Sequence, residues 1–298
     1  MRSPPDIIRI ALVQMQCEED PALNLARAEK MITEASKRGA HLIVLPELFK
    51  TRYFCQWEDV RHFDLAEPIP GPTIERMQQL ARQSNVVLVV PLFERRAAGL
   101  YHNSAAIIDA NGALVGVYRK MHIPHDPLYY EKYYFTPGDS GFRAWPTQVG
   151  KIGVLICWDQ WFPEAARLTA LRGAEVLVYP TAIGWHPHEK STWGDAQHKA
   201  WEMVQRAHAI TNGIFVAAVN RVGHEGPADG GLDFWGASFV CDPFGRILAQ
   251  ASHDREEIVF AALDKSLIET VRRNWPFFRD RRTDAYQELT RRYIGDMP

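Results

Sequence analysis

The chain repeats itself, and this repeat limits the folds that it can adopt. The segment "IIDANGALVG" is matched by "FVCDPFGRILA", which places Asp109 and Asp242 133 positions apart. Likewise "VLPE" is matched by "VYPT", which places Pro46 and Pro180 134 positions apart. Apolar runs and amphipathic helical segments follow one another in the same order around both sets of matches. The sequence therefore predicts two βαβαβββ halves related by a pseudo-two-fold axis.

The character of each segment indicates how these halves pack. Short apolar runs such as "HLIVLPE" and "KIGVLICW" are typical of strands that are buried on both faces. Amphipathic helices separate them, and Asp20-Pro21 supplies a helix cap and a first-turn proline to the first helix. Hairpins among these units imply mixed sheets, each covered by helices on one face. We predict an α/β fold, a four-layer αββα sandwich of two mixed β-sheets in one domain over residues 1–298.

The last part of the chain has a different character. From position 266 the sequence predicts one helix, followed over 275–298 by a charged tail with scattered aromatic residues. Such a tail can dock on a neighbouring subunit or remain solvated, and the residues favour neither outcome.

Composition and charge exclude several kinds of partner. A formal net charge of -2 gives no electrostatic basis for binding nucleic acid or an anionic membrane. Polar residues interrupt the N-terminal apolar run, and no segment approaches the roughly 18 apolar residues of a membrane span. The four cysteines form no C-x-x-C pair, and the histidines of "HPHEK" lack a third ligand. We expect a reduced, cytoplasmic protein without a metal site.

Three residues with different chemistry stand at the ends of predicted strands. Glu47 ends "HLIVLPE", Lys120 ends "ALVGVYRK" and Cys157 ends "KIGVLIC". Each has an ordinary structural reading, since free cysteines are usually buried, glutamates cap helices and lysines end strands in solvent. Because the carboxyl ends of strands gather at one edge of an α/β sheet, the three together indicate a base, a cation and a nucleophile.

The position of Cys157 favours the nucleophile. It lies at a predicted strand-to-helix turn, where the following helix N-terminus favours thiolate and backbone N–H groups can hold an oxyanion.

At this point three segments resemble those of the nitrilase superfamily of carbon-nitrogen hydrolases. They are "VLPELF", "YRKMHIP" and "GVLICWDQWFPEAAR", and the resemblance covers essentially the whole chain. It implies a Glu47–Lys120–Cys157 triad, a supporting Glu131, an oxyanion contact from the backbone of Trp158 and no cofactor. It also implies a homodimer or higher homo-oligomer.

The resemblance further implies a reaction and a substrate class. "KMHIPHDPLYYEKYYFTPGD" and "CWDQWFPE" are most similar to segments of the N-carbamoylputrescine amidases, which act on a small carbamoyl amine. Relatives acting on N-carbamoyl amino acids carry an arginine after the cysteine segment, where this chain has Gln160-Trp161. The alternatives within the superfamily are a β-ureidopropionase or N-carbamoyl amino acid amidohydrolase and an ω-amidase, and the alternative of another class is a non-catalytic interaction module.

Residues that bind the far end of such a substrate follow from its chemistry. An ammonium at the end of an alkyl chain requires an apolar groove that ends in carboxylates or aromatic faces. Tyr53, Tyr129 and Tyr130 are candidates for the groove. Glu189 is the first candidate for the charge and Asp126 the second, because both lie in predicted loops beyond strand ends.

Overall fold

A computed structural model of the chain describes residues 4–228 and 230–295. Its strands are β1 (Ile7–Gln14), β2 (Leu42–Val44), β3 (Val87–Ala97), β4 (Leu100–Ile108), β5 (Leu114–Arg119), β6 (Ala144–Thr147), β7 (Gly150–Val154), β8 (Val176–Pro180), β9 (Gly184–Trp185), β10 (Phe215–Val219), β11 (Val222–Glu225), β12 (Leu232–Trp235), β13 (Phe239–Cys241), β14 (Ile247–Gln250) and β15 (Glu257–Asp264). Its helices are α1 (Pro21–Lys37), α2 (Pro72–Ser84), α3 (Glu131–Tyr134), α4 (Pro163–Leu171), α5 (Lys190–Asn212) and α6 (Ser266–Asn274).

Two large sheets have matching strand orders. One runs β15-β1-β2-β3-β4-β5 and the other β14-β13-β10-β8-β7-β6. In each sheet three parallel strands continue into an antiparallel hairpin, β4–β5 in the first sheet and β13–β14 in the second. The equivalence of β1-β2-β3-β4-β5 with β7-β8-β10-β13-β14 confirms the two predicted βαβαβββ halves.

The cores lie in separate layers, as expected for an αββα sandwich. Alternate residues of β1, Ile8, Ile10 and Leu12, pack in one cluster with residues of β7, β8 and β10, so this cluster lies between the sheets. The residues between them, Ala11 and Val13, pack with α1 and α2 in a second cluster. Because strand side chains alternate between faces, each sheet buries both of its faces.

The strand β15 was not predicted. It pairs antiparallel with β1 along its whole length, from Ile7 opposite Asp264 to Gln14 opposite Glu257, and so extends the first sheet with residues from the end of the chain. A small sheet of β11, β12 and β9 was also not predicted.

Helix boundaries follow local signals. Asp20 caps α1, accepting from the N–H of Ala22 at 2.8 Å, and Pro21 begins the helix as predicted. Asn85 ends α2 and Gly213 ends α5 in the left-handed region, with φ of 52° and 57°.

The tail after α6 has little regular structure. Over 275–295 it contains two short 3₁₀ turns and exposes Trp275, Leu289, Tyr293 and other apolar side chains. The last three positions of the predicted tail, 296–298, lie outside the described residues. Within the described chain, no helix has the length and apolar character needed to span a membrane.

Candidate active site

The structure brings Glu47 and Lys120 together with Glu131 in a fully buried cluster. Lys120 follows β5, and its Nζ donates to Glu47 Oε1 at 2.8 Å and to Glu131 Oε2 at 2.7 Å. Glu47 follows β2 of the same sheet. Since β2 and β5 run in the same direction, their carboxyl ends meet at one edge, as the strand-end argument predicted.

The two oxygens of Glu47 have different surroundings. Oε1 accepts from Lys120 and, at 2.7 Å, from Nδ2 of Asn103. Oε2 is buried and has no hydrogen-bond partner among the described residues. One oxygen thus holds the carboxylate in place, and the other is free to take up a proton.

The charge of Lys120 is held by its neighbours. Burial alone disfavours an ammonium, but the carboxylates of Glu131 and Glu47 outweigh it and raise the pKa of Lys120 well above its usual value. Lys120 is therefore a permanent cation at neutral pH, suited to stabilising negative charge and unsuited to accepting a proton.

Glu131 opens the short helix α3 and joins the cluster from the other side. Its Oε1 accepts from the hydroxyl of Tyr53 at 2.7 Å, while Oε2 accepts from Lys120. Burial, opposed by Lys120 and supported by the charge of Glu47, raises the pKa of Glu131 to about 7.

Cys157 stands at a strained turn beyond β7. Its φ of 43° lies in the left-handed region, which a non-glycine residue adopts at a cost, and it begins a 3₁₀ turn that precedes α4. The side chain is 4% exposed, and burial, followed by the charge of Glu47, raises the pKa of its thiol well above the usual value despite Lys120. These surroundings favour the neutral thiol over the thiolate that the turn position alone would favour.

Asp159 organises the cysteine turn, a role that the sequence analysis did not assign. Its Oδ2 accepts from the N–H of Ile156 at 2.9 Å and from the hydroxyl of Tyr118 at 2.7 Å. Its Oδ1 accepts from the N–H and Nδ1 of His122 at 3.0 and 2.7 Å. The aspartate thus ties the cysteine turn to the segment that follows Lys120.

A cavity of about 520 Å³ opens onto the cysteine. Its lining combines aromatic faces with a few polar groups: Pro124, Asp126, Pro127, Tyr129, Cys157, Trp158, Trp161, Ile183, Gly184, His186, His188, Glu189, Gln197, Ala200 and Trp235. The lining includes the carboxylates of Asp126 and Glu189, and none of the described lining residues is a lysine or an arginine. The cavity is therefore apolar in its walls and acidic in its charge.

Of the predicted substrate-binding residues, Asp126, Tyr129 and Glu189 line this cavity, but Tyr53 and Tyr130 do not. Tyr53 is fully buried behind the cluster, where its hydroxyl is committed to Glu131. Tyr130 donates its N–H to Cys55 O and packs its ring against His125. The structure therefore does not place these two predicted groove residues in the cavity lining.

The two histidines of the "HPHEK" segment line the cavity, with ring centroids 5.3 Å apart. No group of three metal-binding side chains occurs among the described residues.

Comparison with known proteins places this site in a family. The model of the carbon-nitrogen hydrolase family matches residues 9–273. An N-carbamoylputrescine amidase of Solanum lycopersicum is 44% identical over 95% of each chain, and a citrullinase of Francisella tularensis is 44% identical over 96% of this chain and 99% of the relative. The crystal structure of a carbon-nitrogen hydrolase from Helicobacter pylori superposes with a TM-score of 0.93 at 46% identity, covering 97% of this chain and all of the other. With the predicted resemblance to the nitrilase superfamily confirmed, the chain belongs to the carbon-nitrogen hydrolase family.

Proposed function

We propose that the protein hydrolyses N-carbamoylputrescine to putrescine, carbon dioxide and ammonia. The observation that carries this choice is the cavity beside Cys157, whose charged lining residues are both acidic. A substrate with a ureido group at one end and an ammonium at the other matches an apolar wall that ends in carboxylates.

The first step is attack by sulfur on the ureido carbon. The thiol of Cys157 transfers its proton to Oε2 of Glu47, the oxygen without a partner in the described structure, as the carbon–sulfur bond forms. The ureido oxygen becomes an oxyanion, which the ammonium of Lys120 and the N–H of Trp158 stabilise.

Collapse of this intermediate releases ammonia, because Glu47 returns the proton to the departing nitrogen. The enzyme then carries a carbamoyl thioester on Cys157. Glu47 takes a proton from water, the hydroxide attacks the thioester carbon, and the sulfur leaves as the thiol is restored. The released carbamate decomposes to carbon dioxide and putrescine.

Glu131 has a supporting part in this scheme. It does not contact the cavity but holds Nζ of Lys120 opposite Glu47, so that the cation is oriented by two carboxylates. This arrangement fixes the ammonium before reaction, which is what oxyanion stabilisation requires.

Citrulline is the second candidate substrate, because a citrullinase relative has the same identity to this chain as the amidase from Solanum lycopersicum. Citrulline carries a carboxylate as well as an ammonium at its distal end. The described cavity lining offers no lysine or arginine for that carboxylate, which favours the diamine derivative.

Ammonia release tests the choice directly. The purified protein is assayed with N-carbamoylputrescine, citrulline, N-carbamoyl-β-alanine and an ω-amide, and the first should give the highest kcat/KM. Faster hydrolysis of N-carbamoyl-β-alanine would reject a cationic substrate and move the assignment to a β-ureido acid hydrolase. Higher kcat/KM for citrulline would select the second candidate.

The acidic residues of the cavity give a second test. Glu189 precedes α5 and accepts from Nε2 of Gln197 at 2.7 Å, and Asp126 lies in the preceding loop of the cavity wall. Glu189 is exposed in the isolated chain, so a charge pair there stays partly solvated, and Glu189→Gln should raise KM for N-carbamoylputrescine by about fivefold. KM for an uncharged alkylurea of similar length should not change. Asp126→Asn is the matched variant, and the larger rise in KM of the two identifies the carboxylate that binds the ammonium.

We also propose a cytoplasmic homo-oligomer that acts in polyamine synthesis from agmatine. The exposed aromatic tail supports a subunit contact, because Trp275 and Tyr293 are 51% and 84% exposed in the isolated chain. Light scattering that gives a monomer at micromolar concentration would reject the oligomer. A non-catalytic interaction module, the remaining alternative, would show no rapidly alkylated cysteine.

A further inference from the structure

A buried arginine from the second half of the chain holds the backbone that carries Glu47. Arg221 follows β10 by two residues and is fully buried. Its Nη2 donates to the carbonyl oxygens of Glu47 at 2.7 Å and Leu48 at 3.0 Å. Its Nη1 donates to the carbonyl oxygen of Thr51 at 3.2 Å. A single guanidinium therefore satisfies three carbonyls of the turn after Glu47.

The same guanidinium connects to the other side of the cluster. Nη1 also donates to Oε1 of Glu225 at 2.7 Å, and Oε2 of Glu225 accepts the N–H of Tyr53 at 2.6 Å. The hydroxyl of Tyr53 reaches Glu131. These buried contacts form a closed ring through Arg221, Glu225, Tyr53, Glu131, Lys120 and Glu47.

The held turn is strained. Leu48 has a φ of 50°, a left-handed conformation that persists in a non-glycine residue only where its surroundings impose it. Arg221 donates to the carbonyl oxygen of Leu48 itself and to those of positions 47 and 51, which lie on either side of it. The arginine is thus placed to impose the conformation that aims the side chain of Glu47.

We propose that Arg221 and Glu225 are positioning residues that fix the carboxylate of Glu47 relative to Cys157. Glu47 follows β2 of the first sheet, whereas Cys157 and Arg221 follow β7 and β10 of the second, so contacts between the sheets are needed to fix the two reacting groups. The proposal rests on the proposed function in that Glu47 must act on the thiol proton. We therefore expect substitutions of Arg221 or Glu225 to lower kcat and to leave KM nearly unchanged.

Arg221→Lys tests this without removing the charge. An ammonium cannot reproduce the planar fork that spans three carbonyls and Glu225, nor the contact of Cζ with the ring of Phe234 at 5.2 Å. A misplacement of about 1 Å costs on the order of 100-fold, so kcat should fall by about that factor while KM stays within about threefold.

The matched control is Arg246→Lys. Arg246 also pairs with a buried acid four residues away, Asp242 at 2.6 Å, but lies in the turn between β13 and β14. Its kcat should equal that of the wild type. The double variant Arg221→Met/Glu225→Gln leaves neither charge unpaired, and it should unfold at a higher temperature than Arg221→Met while kcat stays low.

Alkylation of Cys157 by iodoacetamide gives a readout that needs no substrate. Its rate should fall in Arg221→Lys and stay unchanged in Arg246→Lys, and this holds even if the wild type prefers another ureido compound or amide. Near-UV circular dichroism gives the folded fraction of each preparation, so kcat is expressed per folded site. Equal kcat per site and equal alkylation rates in Arg221→Lys and the wild type would overturn the proposal, since a purely structural arginine changes only the folded fraction.

Discussion

Replacing Asp159 by asparagine should destabilise the cysteine turn, because the amide cannot accept every hydrogen bond that the carboxylate accepts. In the orientation with nitrogen at the Oδ2 position, the N–H of Ile156 loses its acceptor. In the flipped orientation the N–H of His122 loses it instead. Tyr118 and the ring of His122 can adapt, since a hydroxyl can rotate and an imidazole can change tautomer. A backbone donor cannot adapt, so either the buried N–H of Ile156 or the part-buried N–H of His122 is left without its acceptor.

The magnitude follows from these contacts. An unsatisfied buried donor costs about 1 to 3 kcal/mol, and replacing charge-assisted bonds by neutral ones costs about 1 kcal/mol more. The free energy of unfolding should therefore fall by about 2 to 4 kcal/mol for Asp159→Asn. Tyr118→Phe removes one donor and leaves Asp159 with three, so its loss should be about 1 kcal/mol.

Urea unfolding of the wild type and both variants measures the stability change, and ammonia release measures kcat on the same preparations. Because Ile156 directly precedes Cys157, the proposed nucleophile, Asp159→Asn should also lower kcat by at least about tenfold. An unfolding free energy within about 0.5 kcal/mol of the wild type, together with an unchanged kcat, would refute the role given to Asp159.

Other substitutions test the individual roles by ammonia release. Cys157→Ser should abolish turnover with a small loss of stability, since serine fits the same space, and residual activity above a few per cent would contradict the nucleophile. Glu47→Gln and Lys120→Met should each lower kcat at least about a hundredfold, and near-normal rates would remove that residue from the mechanism. Below about pH 7 protonation of Glu131 should lower kcat/KM, and Glu131→Gln should remove this step from the pH profile. The pKa of Glu131 is higher in the folded chain than in the unfolded chain, so its ionisation favours unfolding. As the pH rises from about 4.5 to 7, the free energy of unfolding of the wild type should therefore fall more than that of Glu131→Gln.

The assembly of Glu47, Lys120 and Cys157 could be predicted because it depends on strand direction. Glu47 and Cys157 follow short apolar runs of the kind that become strands buried on both faces, whereas Lys120 follows β5, a half-exposed hairpin strand. Because the carboxyl ends of parallel strands meet at one edge of an α/β sheet, the strand-end positions of the three residues indicated a shared site. The internal repeat predicted a second sheet equivalent to the first. The sequence therefore contained the elements needed to place the residues at one edge.

The contacts that tune the site could not be predicted, because they join positions far apart in the chain. Asn103 reaches Glu47 across 56 positions and Arg221 reaches it across 174. The protonation state of Cys157 depends on burial and on the sum of three nearby charges, which no local motif encodes. The arginine did leave a signal, since it follows the buried strand "IFVAAVN" at the same edge as the cysteine.

The buried charges divide the chemistry between Glu47 and Lys120. A lysine beside one carboxylate could exchange a proton with it, and either group could then serve as the base. Lys120 instead lies between two carboxylates, which hold its pKa high, so the proton of the thiol has to go elsewhere. Because Oε1 of Glu47 accepts from Lys120 and Asn103, Oε2, which has no partner in the part of the chain that the structure describes, is the acceptor that remains available. In the proposed mechanism the second carboxylate, Glu131, therefore does more than orient the lysine: by keeping Lys120 charged, it leaves Glu47 as the base.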